Sequence, residues 1–226
     1  MDSIANKLLA SKISLIAGVE YRHLKHDRVT NEVVLALTDN RLGFASSVMY
    51  WQKKSAPAPA EEEELENMHG RRWGVMPNKA PVTVYRHFGF EFGLLLCSEL
   101  QDITFQQKYQ GEVDALFVLS WNKDLETFGS LIEAAALNVH AYVGLVNNRL
   151  FGDSRLRVPA KEHHLRDQCR LHGGLNDFAA VVELDIGELR RFQSRAKNRP
   201  QADDPFKPVP QGFKIAARRH EVPGVP

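Results

Sequence analysis

The chain has 226 residues, enough for one large domain or two small ones around a sizeable core. Hydrophobic residues make up 43% and charged residues 25%. The formal net charge is +1, which excludes a dominant basic nucleic-acid arm or an acidic tail. Two cysteines, Cys97 and Cys169, exclude a disulfide scaffold and a Cys-rich zinc module, and no apolar run reaches the roughly 18 residues of a membrane span.

The first 14 residues mix polar and apolar types and lack the basic-then-apolar layout of a secretory signal, so a cytoplasmic protein is expected. Ile4, Leu8 and Leu9 fall at helical spacing and predict a helix over 3–12. ISLIAGVE (13–20) and NEVVLAL (31–37) read as strands, with a turn at Asp39-Asn40 and a third strand near 44–51. Residues 52–80 break this pattern. Pro57, Pro59 and the acidic run Glu61 to Glu64 predict a long loop with one short helix after Pro59. FEFGLLLC (90–97) is a strand with a fully apolar second half, followed by a helix over 98–109. A strand at 114–120, an Ala-rich helix at 124–138 and a strand at 141–147 come next. Strands at 153–159 and 178–185, a short helix at 187–194 and a proline-marked extended tail complete the chain. Apolar strands alternating with helices predict an α/β fold.

Cys97 is the residue with most to say. It ends an apolar strand at a strand-to-helix turn, where a side chain projects from the rim of a sheet and where free N–H groups favour a thiolate and an oxyanion. The ordinary alternative is a buried structural cysteine. Lys53 and Lys54 precede the proline-rich loop, and an ammonium there suits a tetrahedral oxyanion, with a carboxylate from Glu61 to Glu64 to hold it. Trp121 and Asn122 follow a strand's carboxyl end, where sites in open α/β sheets collect, although Asn122 is also a good helix-cap residue. His163, His164 and Asp167 have no third ligand at a metal-binding spacing. Arg190, Arg191, Arg195, Lys197 and Arg199 form a basic stretch best read as a solvated helix face.

In order, these segments resemble the carbon–nitrogen hydrolase (nitrilase/amidase) superfamily. The resemblance runs over about residues 3–192. It is carried by LIAGVEY, by Lys54, Pro59 and Glu62 in a Lys-x-x-x-x-Pro-x-x-Glu element, by GLLLCSE (93–99), by VDALFVLSWN and by the AYVGLVNNR and GDSRLRVP pieces. It implies a four-layer αββα sandwich over 1–194 that lacks its first strand-helix-strand segment, with residues 195–226 as the extended tail. It also implies a cofactor-free, metal-free thiol hydrolase of small amides, nitriles or carbamoyl compounds. In that reading Cys97 is the nucleophile and Lys54 stabilises the tetrahedral intermediate, with Lys53 as the rival. Glu62 is the assisting carboxylate, its neighbours being alternatives in register. Ser98, Trp121 and Asn122 meet the substrate. A homodimer through the helices at 98–109 and 124–138 is implied, with no membrane partner.

No residue matches the superfamily's general-base glutamate, which stands on a strand before the first helix. Three readings follow: a truncated frame, a portion of a larger polypeptide such as the nitrilase-like domains fused to bacterial reverse transcriptases, or a non-catalytic interaction module. Nucleic acid enters only through a fused or partner domain.

Overall fold

The computed structural model describes residues 2–41, 43–74, 82–195 and 201–220. The chain divides into two units, Met1–Pro81 and Val82–Pro226.

The first unit opens with helix α1 (Asp2–Ser11), followed by strands β1 (Leu15–His23), β2 (Arg28–Asp39) and β3 (Ser46–Lys53). They form an antiparallel sheet in that order, and the two-residue strand β4 (Arg72–Trp73) joins β2 in parallel. The central strand β2 is the most deeply buried, with Val29, Val33 and Leu35 all at 0% exposure. A strand covered on both faces needs this near-continuous apolar run. Helix α2 (Pro59–His69) occupies the stretch predicted to hold one short helix. Pro59 at its first position has the right φ and no N–H to waste, and Gly70 at φ 58° ends it in the left-handed conformation that glycine tolerates best.

The second unit is built on a six-stranded sheet of order β10-β9-β8-β7-β6-β5. Its strands are β5 (Tyr85–His87), β6 (Phe90–Leu96), β7 (Ala115–Ser120), β8 (Tyr142–Asn147), β9 (Ser154–Arg157) and β10 (Asp167–Leu171). β6, β7 and β8 are parallel, and the flanking pairs are antiparallel. Helix α3 (Ile103–Tyr109) crosses from β6 to β7, and helix α4 (Leu125–Ala135) from β7 to β8. Leu95, Leu116, Val118, Phe128, Ile132 and Val143 form the heart of the core. Each such side chain removed from water is worth about 1.5–3 kcal/mol.

The helix expected over 98–109 is split into a 3-10 turn, Cys97–Gln101, and α3, and the edge of the sheet also differs from expectation. Residues 178–185 form no strand, and Val181 is fully exposed at 101%. The sheet edge beside β9 is taken instead by β10, which sequence patterning did not single out. Its DQCRL sequence has no β-branched residue, and it is held by pairing with β9 rather than by propensity. Helix α5 (Ile186–Gln193) follows, and Arg190 on it is 3% exposed. That corrects the reading of Arg190 as part of a solvated face. Its guanidinium meets Asp114, fully buried at the foot of β7, which needs a counter-charge. Lys197 and Arg199 of the same basic stretch lie outside the described residues.

Residues 201–220 pack onto this unit. Phe206 meets Phe192 and His140, and Arg219, at 0% exposure, donates to Asp114, Gly111 O and Gln193.

Candidate active site

The predicted residues fall into two groups, one in each unit. In the first unit, β3 delivers Lys53 and Lys54 at its end. Alternation puts Lys53 in solvent and Lys54 inside, at 1% exposure. The Lys54 ammonium is bound by Glu61 Oε2. Glu61 is the third residue of α2, where a carboxylate reaches back to the chain before the helix. Its Oε2 accepts from Ala58 N at 2.9 Å, and its Oε1 accepts from the Tyr21 hydroxyl at 2.7 Å. Burial pushes the Glu61 carboxyl up, but the Lys54 charge and the hydrogen bonds from Lys54, Ala58 and Tyr21 outweigh it, so the group sits below the usual glutamate range. Glu62, the carboxylate picked by spacing, is exposed on α2. The carboxylate on Lys54 is therefore one residue earlier, because the helix starts at Pro59 and only its third position points back at the cap.

In the second unit, Cys97 follows β6 directly and has φ 48°. A left-handed cysteine costs about 1–2 kcal/mol, and such outliers cluster where side chains are aimed for use. Cys97 is half-buried and starts a 3-10 turn, Cys97–Gln101. The turn is pinned by Glu99, whose Oε2 accepts from Leu96 N at 2.8 Å. The Ser120 hydroxyl donates to Cys97 Sγ at 3.5 Å. The next strand gives Asn147, whose Oδ1 accepts from Asn122 N and whose Nδ2 donates to the carbonyls of Asn122 and Gly152, all at 2.9 Å. The role of Asn147 as a bracket over the neighbouring loop depends on strand order, which the sequence does not display.

Asn122 Oδ1 accepts from Asp124 N at 2.8 Å in the turn before α4, and the helix cap is Asp124, whose Oδ1 accepts from Thr127 N at 3.1 Å. Trp121 stands 68% exposed, and Ser98 is half-buried beside Cys97. His163 and His164 are exposed, and Asp167 is tied to Arg157 at 2.6 Å. No cluster among the described residues offers three metal-binding side chains, and no helix among them is long and apolar enough to cross a membrane. A cavity of about 560 Å³ lined by Tyr142, Val158, Ala160, Glu188 and Phe206 contains none of the predicted site residues.

The sequence matches no family model and no curated protein. Solved structures do match. The CN-hydrolase superfamily protein XC1258 from Xanthomonas campestris, described with an arsenic adduct in its active site, superposes with a TM-score of 0.61 at 13% identity. The match covers 85% of this chain and 70% of that one. An amidase from Nesterenkonia sp. gives a TM-score of 0.50 at 16% identity over 70% of this chain and 59% of that one. A variant of the Nesterenkonia amidase, assigned to the nitrilase superfamily, gives 0.54 at 16% identity, over 76% and 64%. This chain thus spans less than two thirds of the Nesterenkonia amidase. At these identities the likeness is one of fold: the chain has the α/β fold of the carbon–nitrogen hydrolase (nitrilase) superfamily.

Proposed function

We propose that the chain carries thiol-dependent hydrolysis of a non-peptide carbon–nitrogen bond in a small amide, nitrile or carbamoyl compound. Cys97 Sγ attacks the electrophilic carbon, and the superfamily resemblance assigns to Lys54, held by Glu61, the part of meeting the oxyanion of the tetrahedral intermediate. For an amide, the C–N bond breaks with a proton passing to the departing amine, which leaves a thioester on Cys97. Water then adds to the thioester carbon, the C–S bond breaks, and the acid and the thiol are restored. The proton transfers require a general base that none of the matched positions supplies. Ser98, Trp121 and Asn122 complete the reading as the residues that meet the substrate.

The observation that carries this reading is the left-handed Cys97 at the carboxyl end of β6, in a chain with this superfamily's fold. The buried Lys54–Glu61 pair supports it: a desolvated ammonium with a fixed partner is a prepared electrostatic group rather than a surface charge. The test is release of ammonia or amine from a panel of small amides and nitriles. It is run on the chain and on a version extended by the residues encoded upstream. Cys97→Ala abolishes the release and Lys54→Met lowers it at least about a hundredfold, the scale of losing an oxyanion partner. Full activity in the Cys97→Ala protein overturns the proposal.

A further inference from the structure

We infer that Ser120 is a positioning residue for Cys97, its hydroxyl donating to the sulfur and favouring the thiolate. This rests on the reading of Cys97 as the nucleophile. The argument begins with strand register. β6 and β7 run parallel with Leu96 opposite Leu119, so the next residues on each strand, Cys97 and Ser120, stand side by side at the carboxyl ends. The left-handed turn of Cys97 keeps its side chain at that rim, where Ser120 Oγ lies 3.5 Å from Sγ.

The hydroxyl is presented by rigid backbone. Ser120 pairs with Asn147 of β8, its carbonyl accepts from Asn148 N at 3.1 Å, and Asn147 clamps the loop that begins at Asn122. A donor held this way needs no ordering when the sulfur ionises. An O–H donor gains more from an anionic sulfur than from a neutral thiol, a weak acceptor, so the contact is made stronger when Cys97 acts as a nucleophile. Other charged groups form the fixed background. Glu99 lies two residues along the same turn, Lys108 and Tyr109 belong to α3, and Glu126 and Glu133 belong to α4, both helices packed on that turn. A carboxylate such as Glu99 disfavours a nearby thiolate, and the Ser120 contact acts against it.

The test is the pH dependence of alkylation by iodoacetamide, read separately for Cys97 and Cys169 by peptide mass spectrometry. It compares the unsubstituted protein with Ser120→Ala, Ser120→Thr and Ser120→Val. Thr and Val have the same shape and differ in the hydroxyl, which separates hydrogen bonding from packing. The expected result is a Cys97 midpoint raised by about one pH unit in Ser120→Ala and Ser120→Val, close to the original in Ser120→Thr, with Cys169 unmoved throughout. If Val and Thr give the same midpoint while Cys97 still titrates below Cys169, the Ser120 assignment falls and the nucleophile stands. If Cys97 in the unsubstituted protein titrates with Cys169, both fall.

Discussion

The ammonium of Lys54 and the carboxylate of Glu61 form a buried ion pair across seven residues of chain, with Lys54 at 1% exposure. The pair is asymmetric. Glu61 keeps Tyr21 and Ala58 as donors when Lys54 is lost, whereas Lys54 loses its counter-charge when Glu61 is lost. Glu61→Gln is therefore expected to destabilise by about 3 kcal/mol, more than Lys54→Met, because an unpaired buried charge is the larger penalty. Urea denaturation of the two variants checks the order.

The same pair sets a pH dependence. The folded-state pKa of Glu61 is depressed, so its contribution to stability is fully present above the unfolded-state value of about 4.3 and is lost as pH falls through the folded-state value. The stability difference between the unsubstituted protein and Glu61→Gln should be constant from pH 7 to pH 5 and shrink below about pH 4. Denaturation series at several pH values measure it.

Asp114, fully buried, receives the guanidinium groups of Arg190 and Arg219 as well as the Glu91 N–H at 2.8 Å. Replacing Asp114 by Asn leaves two buried guanidiniums without their anion, a loss of about 3–5 kcal/mol. Arg219→Ala should be milder, since Arg190 remains. It should also loosen residues 201–220, which hydrogen exchange reports directly.

Gly93 lies beneath Tyr109. A Cβ there would come within 2.4 Å of the ring, and the ring is fixed because its hydroxyl donates to Leu94 O and Thr83 O. Gly93→Ala thus forces β6 and α3 apart. A loss of about 3 kcal/mol is expected, at the upper end for overpacking. Because β6 carries Cys97 at its end, slower alkylation of that thiol should accompany the loss.

Cys97 occupies a conformation that glycine accepts and alanine resists. Cys97→Gly should be about 1 kcal/mol more stable than Cys97→Ala, reversing the usual order at an ordinary backbone position. Thermal unfolding of the two proteins tests whether the turn is strained.

Much of this was legible in the sequence where physics is local. FEFGLLLC and VDALFVLS are too uniformly apolar to be anything but buried strands or helices, and turn residues bound their length. Lys54 is preferred to Lys53 by the Lys-x-x-x-x-Pro-x-x-Glu spacing of the superfamily resemblance, and strand alternation places Lys54 as the buried one of the two. Spacing picks Glu62 and leaves its neighbours open in register, because the helix-start signature that would single out Glu61 normally carries Ser or Thr before the helix. Here that position is Ala58, which offers no side-chain acceptor to announce it. FAAVVELD (178–185) reads as a strand, yet it has no ladder partner among the described residues, while β10 is a strand by pairing despite a polar sequence. The contact of Arg219 with Asp114 spans 105 residues, and that of Ser120 with Cys97 spans 23. Both depend on topology, which composition and periodicity do not encode.

The most direct test of the account is the rate at which Cys97 and Cys169 react with iodoacetamide in the same molecule at pH 7. Cys97 should react at least about tenfold faster, as a thiol at a strand-to-turn rim with a hydroxyl donor on its sulfur does. Equal rates, or a slower Cys97, would contradict the assignment of this sulfur as a nucleophile.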